Sequence, residues 1–191
     1  MLLAEYHALY GLAHFRMSAL DKRVPAAGAA IVAFLSGVPV LPDPAGLVLL
    51  VVIPASLIWF IRTTINHARS FEDLIRRIEQ VEKALNAIAG ETLISFQSTH
   101  PSRGRAVGGR TGFETVSAVG LASALIIGAC AYLNKLAEPA ATKGGMAYEA
   151  YLVFVSVYVL IQLRRWMNYR YTSTDPALPT HGSRSAKSKT G

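Results

Sequence analysis

Apolar residues along this chain gather in four long stretches that carry almost no charge: residues 24–41, 45–61, 115–134 and 146–163. Each is about as long as the ~17 to 25 residues that an α-helix needs to cross the hydrocarbon core of a bilayer. In that solvent every backbone N–H and C=O must be satisfied within the segment, which a helix does by itself. The pattern predicts an all-α integral membrane protein, with four transmembrane helices arranged as two hairpins. Pro25 stands at the start of the first stretch, where its missing N–H costs little. Pro42-Asp43-Pro44 closes the first hairpin. Pro54 falls inside the second stretch and removes one backbone hydrogen bond, so a kink is expected there.

The third stretch is rich in small residues. Gly120, Ala124 and Gly128 recur every four positions, a spacing that lets helix backbones approach closely in membranes. They serve either packing within one protomer or a subunit interface, including a pore-lining one. The fourth stretch alternates Val153, Val155, Val157 and Val159, which in water would suggest a strand. Its length and its flanks favour a helix. Tyr148 and Tyr151 mark one end, and Trp166, Tyr169 and Tyr171 the other, as aromatic belts do at membrane boundaries.

Outside these stretches the periodicity changes. Leu2, Tyr6, Leu9, Ala13, Met17 and Leu20 recur at three- and four-residue spacing, with Glu5, His7, His14 and Arg16 largely elsewhere. An N-terminal amphipathic helix of this kind lies in the membrane interface, or docks on a neighbouring helix. Between the two hairpins, Phe71, Leu74, Ile78, Val81, Leu85 and Ile88 follow a heptad pattern. Glu72 with Arg76, and Glu79 with Lys83, have the favourable four-residue orientation on the charged faces. Gly90 is the expected stop. This heptad helix either extends from the second stretch and packs on the N-terminal helix, or bundles with copies from other subunits.

Composition supports the same picture. Of 191 residues 52% are hydrophobic and only 16% charged, where a soluble domain carries about a quarter. The formal charge of +7 has a topological cause rather than a nucleic-acid one. Of 19 Lys and Arg, only Lys135 and Lys143 lie outside residues 1–23, 62–114 and 164–191. With four crossings these three regions share one side, which the positive-inside rule makes the cytoplasm. The expected location is the cell inner (plasma) membrane, with both termini cytoplasmic. Five segments follow: the N-terminal helix 1–23, hairpin 24–61, cytoplasmic module 62–114, hairpin 115–165, and a basic tail 166–191 expected to be disordered. Glu5 and the absence of early Lys or Arg argue against a cleavable leader.

Candidate chemistry is sparse. Cys130 is the single cysteine, and reads as a small buried apolar residue. His7 and His14 share a helix face without a third ligand, so no metal site is expected, nor any cofactor. No catalytic motif or paired carboxylate points to an enzyme. Arg103, Arg105 and Arg110 lie among Gly104, Gly108, Gly109 and Gly112, as an anion-binding loop requires. Its partners are the lipid bilayer's anionic headgroups or a phosphorylated small ligand. It is not a Walker A loop, and His100 lacks a catalytic arrangement.

Two functions fit these features. One is a homo-oligomeric channel or membrane-perturbing effector with a cytoplasmic sensing and assembly module. The other is a non-conducting scaffold or accessory subunit that presents the cytoplasmic helix to a partner. The N-terminal helix, two hairpins, heptad run and basic loop together resemble the architecture of small multi-span bacterial membrane effectors of anti-phage defence. That resemblance implies an antiviral role in which the inner membrane is opened or disrupted after a nucleotide signal.

Overall fold

The computed structural model describes residues 2–37, 43–99, 107–137 and 143–170, and their regular structure is helical throughout. The elements are α1 (Leu2–Asp21), α2 (Arg23–Gly37), α3 (Asp43–Ala89), a single turn α4 (Phe96–Thr99), α5 (Gly109–Ala137) and α6 (Lys143–Met167). Among the described residues, three helices are long and apolar enough to cross a membrane: Val48–Ala89, Gly109–Leu136 and Gly144–Met167. Helix α2 has 15 described residues, and positions 38–41 of the expected first span lie outside the described residues. Pro42 of the expected first turn, most of the second interhelical loop, and residues 171–191 of the expected tail lie outside the described residues.

Helix α3 dominates the molecule. Its 47 residues give it a length of about 70 Å at 1.5 Å per residue. Its apolar half ends at Ile61, and Arg62 opens a polar arm that continues in the same helix to Ala89. Residues 45–61 and the heptad run are thus one element, and the segment boundary expected at residue 62 is crossed by an unbroken helix. Gly90 stops it with φ +77, a conformation that suits glycine, while its N–H donates to Asn86 O at 3.0 Å.

Helix α1 packs along that arm. Leu2, Tyr6, Leu9 and Ala13 are half-buried and Leu20 is fully buried, as their spacing predicts. Two expectations fail. Glu5 and Arg16 lie on the docked side, because Arg77 and His67 of α3 offer them partners. The opposite side is not polar, with Leu12 and Phe15 45% and 66% exposed, and Met17 of the predicted apolar stripe is itself 37% exposed. Lys22 alone separates α1 from α2. The helical ladder continues across it, with Lys22 N–H donating to Ser18 O and Ala26 N–H to Lys22 O.

Helix α5 is the hub of the apolar layer. It packs against α2, α3 and α6. Val116, Val119 and Ala122 meet Ala27, Ile61, Ile65, Val155 and Val159 in one cluster; Ile126 and Cys130 meet Phe34, Leu57 and Leu152 in a second. Helix α2 leans mainly on α5, and its Ala27 shares a buried cluster with Ala122. Helices α5 and α6 run antiparallel, with Phe113 beside Trp166 at one end and Gly120 facing Leu163. The alternating valines are helical: Val155 and Val159, four apart, are buried, while Val153 and Val157 are exposed.

Candidate functional site: the junction between apolar helices and polar arm

The residues with the most polar chemistry gather where the arm leaves the apolar layer. Arg23, at the start of α2, donates from Nη1 to Thr63 Oγ1 at 3.2 Å and Thr64 Oγ1 at 2.9 Å, and stacks over Phe60. Thr64 is fully buried and passes its own proton to Phe60 O at 2.8 Å. One turn further along α3, Arg16 Nη1 donates to His67 Nδ1 at 3.2 Å. That bond requires His67 Nδ1 to be the bare nitrogen of a neutral ring. Burial pushes the His67 pKa below its ordinary value, and the positive charges of Arg23 and Arg16 push it the same way.

Two further contacts tie α5 and α6 to the arm. Gly108 N–H, just ahead of α5, donates to Glu72 Oε2 at 3.0 Å, and Glu72 Oε1 accepts from Arg76 Nε at 2.8 Å. A carboxylate at a helix N-terminus also meets the positive end of the helix dipole. Gly108 sits at φ +79, and a Cβ there would lie 2.9 Å from Ala68 O. Past the end of α6, Tyr169 Oη donates to Asp73 Oδ1 at 2.5 Å, with Arg69 over the Tyr169 ring. Burial, then the Asp73 hydrogen bond, pushes the Tyr169 hydroxyl up to about 12. At the arm's far end Glu82 is fully buried and accepts from Tyr6 Oη and Gln97 N–H. Asn86 holds the returning chain by accepting from Leu93 and Ile94 N–H and donating to Ile94 O.

The sequence-predicted residues divide. Phe71, Leu74, Ile78 and Val81 are buried and Leu85 is half-buried, so the heptad seam is consumed inside the chain. Ile88 breaks the pattern at 74% exposure, because the helix ends just beyond it and the chain turns away. Gly120 is half-buried, with Leu163 3.5 Å from where its Cβ would be; Ala124 and Gly128 are exposed, and Gly128 has open space around it. Arg103 and Arg105 lie outside the described residues. Arg110 is exposed and donates to Glu114 at 2.7 Å. Of the expected anion-binding glycines, Gly108 has its N–H engaged by the chain's own carboxylate.

What sequence reasoning missed is the set of long-range polar ties: Glu5 to Arg77 at 2.9 Å, Arg16 to His67, Glu72 to Gly108 and Tyr169 to Asp73. The available signal was charge on helix faces that otherwise read as apolar, and the Gly108-Gly109 pair before a helix. Four serines in the apolar stretches bond within their own helices, Ser36 to Val32 O, Ser56 to Ile53 O, Ser123 to Val119 O and Ser156 to Leu152 O, while Ser117 is exposed. Among the described residues no three His, Cys, Asp or Glu side chains come together as a metal site. The chain matches no protein-family model, no curated protein and no solved structure.

Proposed function

We propose that the chain is a non-conducting membrane scaffold or accessory subunit. Four transmembrane helices, with both termini in the cytoplasm, hold a stiff helical arm below the inner membrane for a partner protein. The observation that carries this reading is the continuity of α3, which leaves the apolar layer without a break and is clamped there by α1, α5 and α6. The arm's tip supports it: Leu3, Ile88, Leu93 and Phe96 are 56%, 74%, 62% and 60% exposed outside the apolar layer. Exposed apolar groups away from lipid mark protein-binding surfaces. The serine hydroxyls turned back on their own helices supply little lining for a water-filled pore.

A homo-oligomeric channel or membrane-perturbing effector is the second reading, and the exposure of Ala124 and Gly128 favours it. Both offer a close approach to another copy, as membrane helix interfaces use. In that reading Arg103, Arg105 and Arg110 sense an anionic headgroup or a phosphorylated ligand, and the resemblance to anti-phage effectors applies. Ion flux from liposomes carrying the purified chain, with subunit count from the same sample, decides between them. The scaffold stays silent with residues 103–110 deleted and across a nucleotide panel. Flux above protein-free liposomes from a defined oligomer, abolished by Gly120→Leu with Gly128→Leu, establishes the channel instead.

A further inference from the structure

A groove of about 660 Å³ lies between α5 and α6 at the end nearest the arm. Its walls change character along its length. Gly120, Leu121 and Leu160 make the part nearer the middle of the apolar layer, and Arg164 and Asn168 make the end nearer the arm. Leu121 and Leu160 are each 64% exposed, so the groove opens outward rather than into the helix bundle. Gly120 sets its depth, since a Cβ there would already touch Leu163 at 3.5 Å.

Two polar features lack partners among the described residues. Arg164 makes no ion pair among the described residues, and Arg165 follows it in the last turn of α6. Among the described residues no Asp or Glu lines the groove. Trp166 also lines it, is 5% exposed, and its buried indole N–H finds no acceptor among the described residues. A buried donor left unpaired is unusual in a folded protein. Apolar walls toward the middle of the layer and an arginine toward the arm follow the order of acyl chain and phosphate in a phospholipid.

We propose that this groove binds one anionic glycerophospholipid, its acyl chain against Gly120 and Leu160 and its phosphate at Arg164. Neutral lipid fills the same apolar walls but gives Arg164 no charge to pair with. The site is independent of the scaffold reading, since it requires neither a partner protein nor a pore.

Native mass spectrometry of the full chain tests this, with phosphatidylglycerol and phosphatidylcholine of identical acyl chains offered in equal amounts. The wild type retains phosphatidylglycerol about fivefold over phosphatidylcholine, the preference one interfacial arginine supplies. Arg164→Gln keeps the lipid and loses the preference. Gly120→Leu loses both lipids, whereas Gly128→Leu, on an open face, loses neither. Equal retention of both lipids by the wild type, or an unchanged preference in Arg164→Gln, overturns the proposal; the second holds even if Gly120→Leu fails to fold. A drop in subunit count in Gly120→Leu with lipid retention intact also overturns it, and assigns the groove to a second copy.

Discussion

The Tyr148 hydroxyl of α6 donates to the backbone carbonyl of Leu50 in α3 at 2.8 Å. Leu50 lies four residues before Pro54, whose ring nitrogen has no hydrogen to give it. Tyr151 donates to the next carbonyl, Val51 O, also at 2.8 Å. In an apolar layer an orphaned carbonyl finds no water, so Tyr148 lets α3 pass through a proline without leaving Leu50 O empty.

That relationship predicts a coupling. Tyr148→Phe should lower stability by about 1 kcal/mol, in the range found for hydrogen bonds between membrane helices. In a Pro54→Ala background the amide of residue 54 returns to Leu50 O, and the same change should cost less than half as much. Thermal unfolding of the four proteins in one detergent completes the double-mutant cycle. Equal costs in both backgrounds would contradict the assignment.

The docking of α5 on α3 depends on both Gly108 and Glu72. Gly108→Ala meets a strained φ and a backbone oxygen 2.9 Å away, and should cost upward of about 2 kcal/mol. Gly109→Ala has φ +63 but open space, and should cost about 1 kcal/mol from backbone strain alone. Their difference measures the close approach to Ala68. Glu72→Gln keeps an acceptor but gives up the charge, for a loss of about 1 to 2 kcal/mol in the same assay.

His67 makes the junction sensitive to acid. Its folded pKa is lowered, so at mildly acidic pH the unfolded chain binds a proton that the folded chain refuses. Stability is then full above the unfolded value of about 6.5 and falls as pH drops toward the lower folded value. The melting temperature should decline between pH 7.5 and 5.5, and His67→Gln should flatten that part of the profile. His7 and His14 are exposed on α1 and offer a comparison. An unchanged slope in His67→Gln would assign the acid response to another group.

The heptad run separates into a packed seam and a free end. Ile78→Lys places a charge at a fully buried position and should cost about 4 kcal/mol or prevent folding. Ile88→Lys, on the exposed last turn, should change stability by no more than about 0.5 kcal/mol. Denaturation in detergent checks the pair, and comparable losses would mean that Ile88 is covered in the folded protein.

Much of the helical plan was legible because it follows from local chemistry. Uncharged runs marked the apolar helices, Gly90 marked the end of α3, and the three-four spacing of Phe71 to Val81 marked a buried seam. Spacing does not say what covers a seam. Nothing local identifies α1 as its partner, since α1's outer face carries Leu12 and Phe15 as well. The pairing of Tyr148 with Leu50 spans 98 positions and becomes visible only when α6 is laid beside α3. Gly108 read as a place for an external anion, and an N–H turned outward looks the same in sequence whichever carboxylate meets it. Glu72 is 36 residues away and belongs to the heptad helix's charged side.

Helix α3 runs unbroken from Asp43 to Ala89, and the scaffold reading requires it to carry the arm stiffly away from the apolar layer. Trp59 and Ile88 are 68% and 74% exposed, so both accept spin labels, introduced as Trp59→Cys and Ile88→Cys in a Cys130→Ser background. Pulsed electron resonance in lipid nanodiscs then reads the distance between them. An unbroken helix predicts a single narrow distribution corresponding to about 43 Å between the two backbone positions. A broad, bimodal or markedly shorter distribution would mean that the arm bends or detaches at the junction, and would contradict the account.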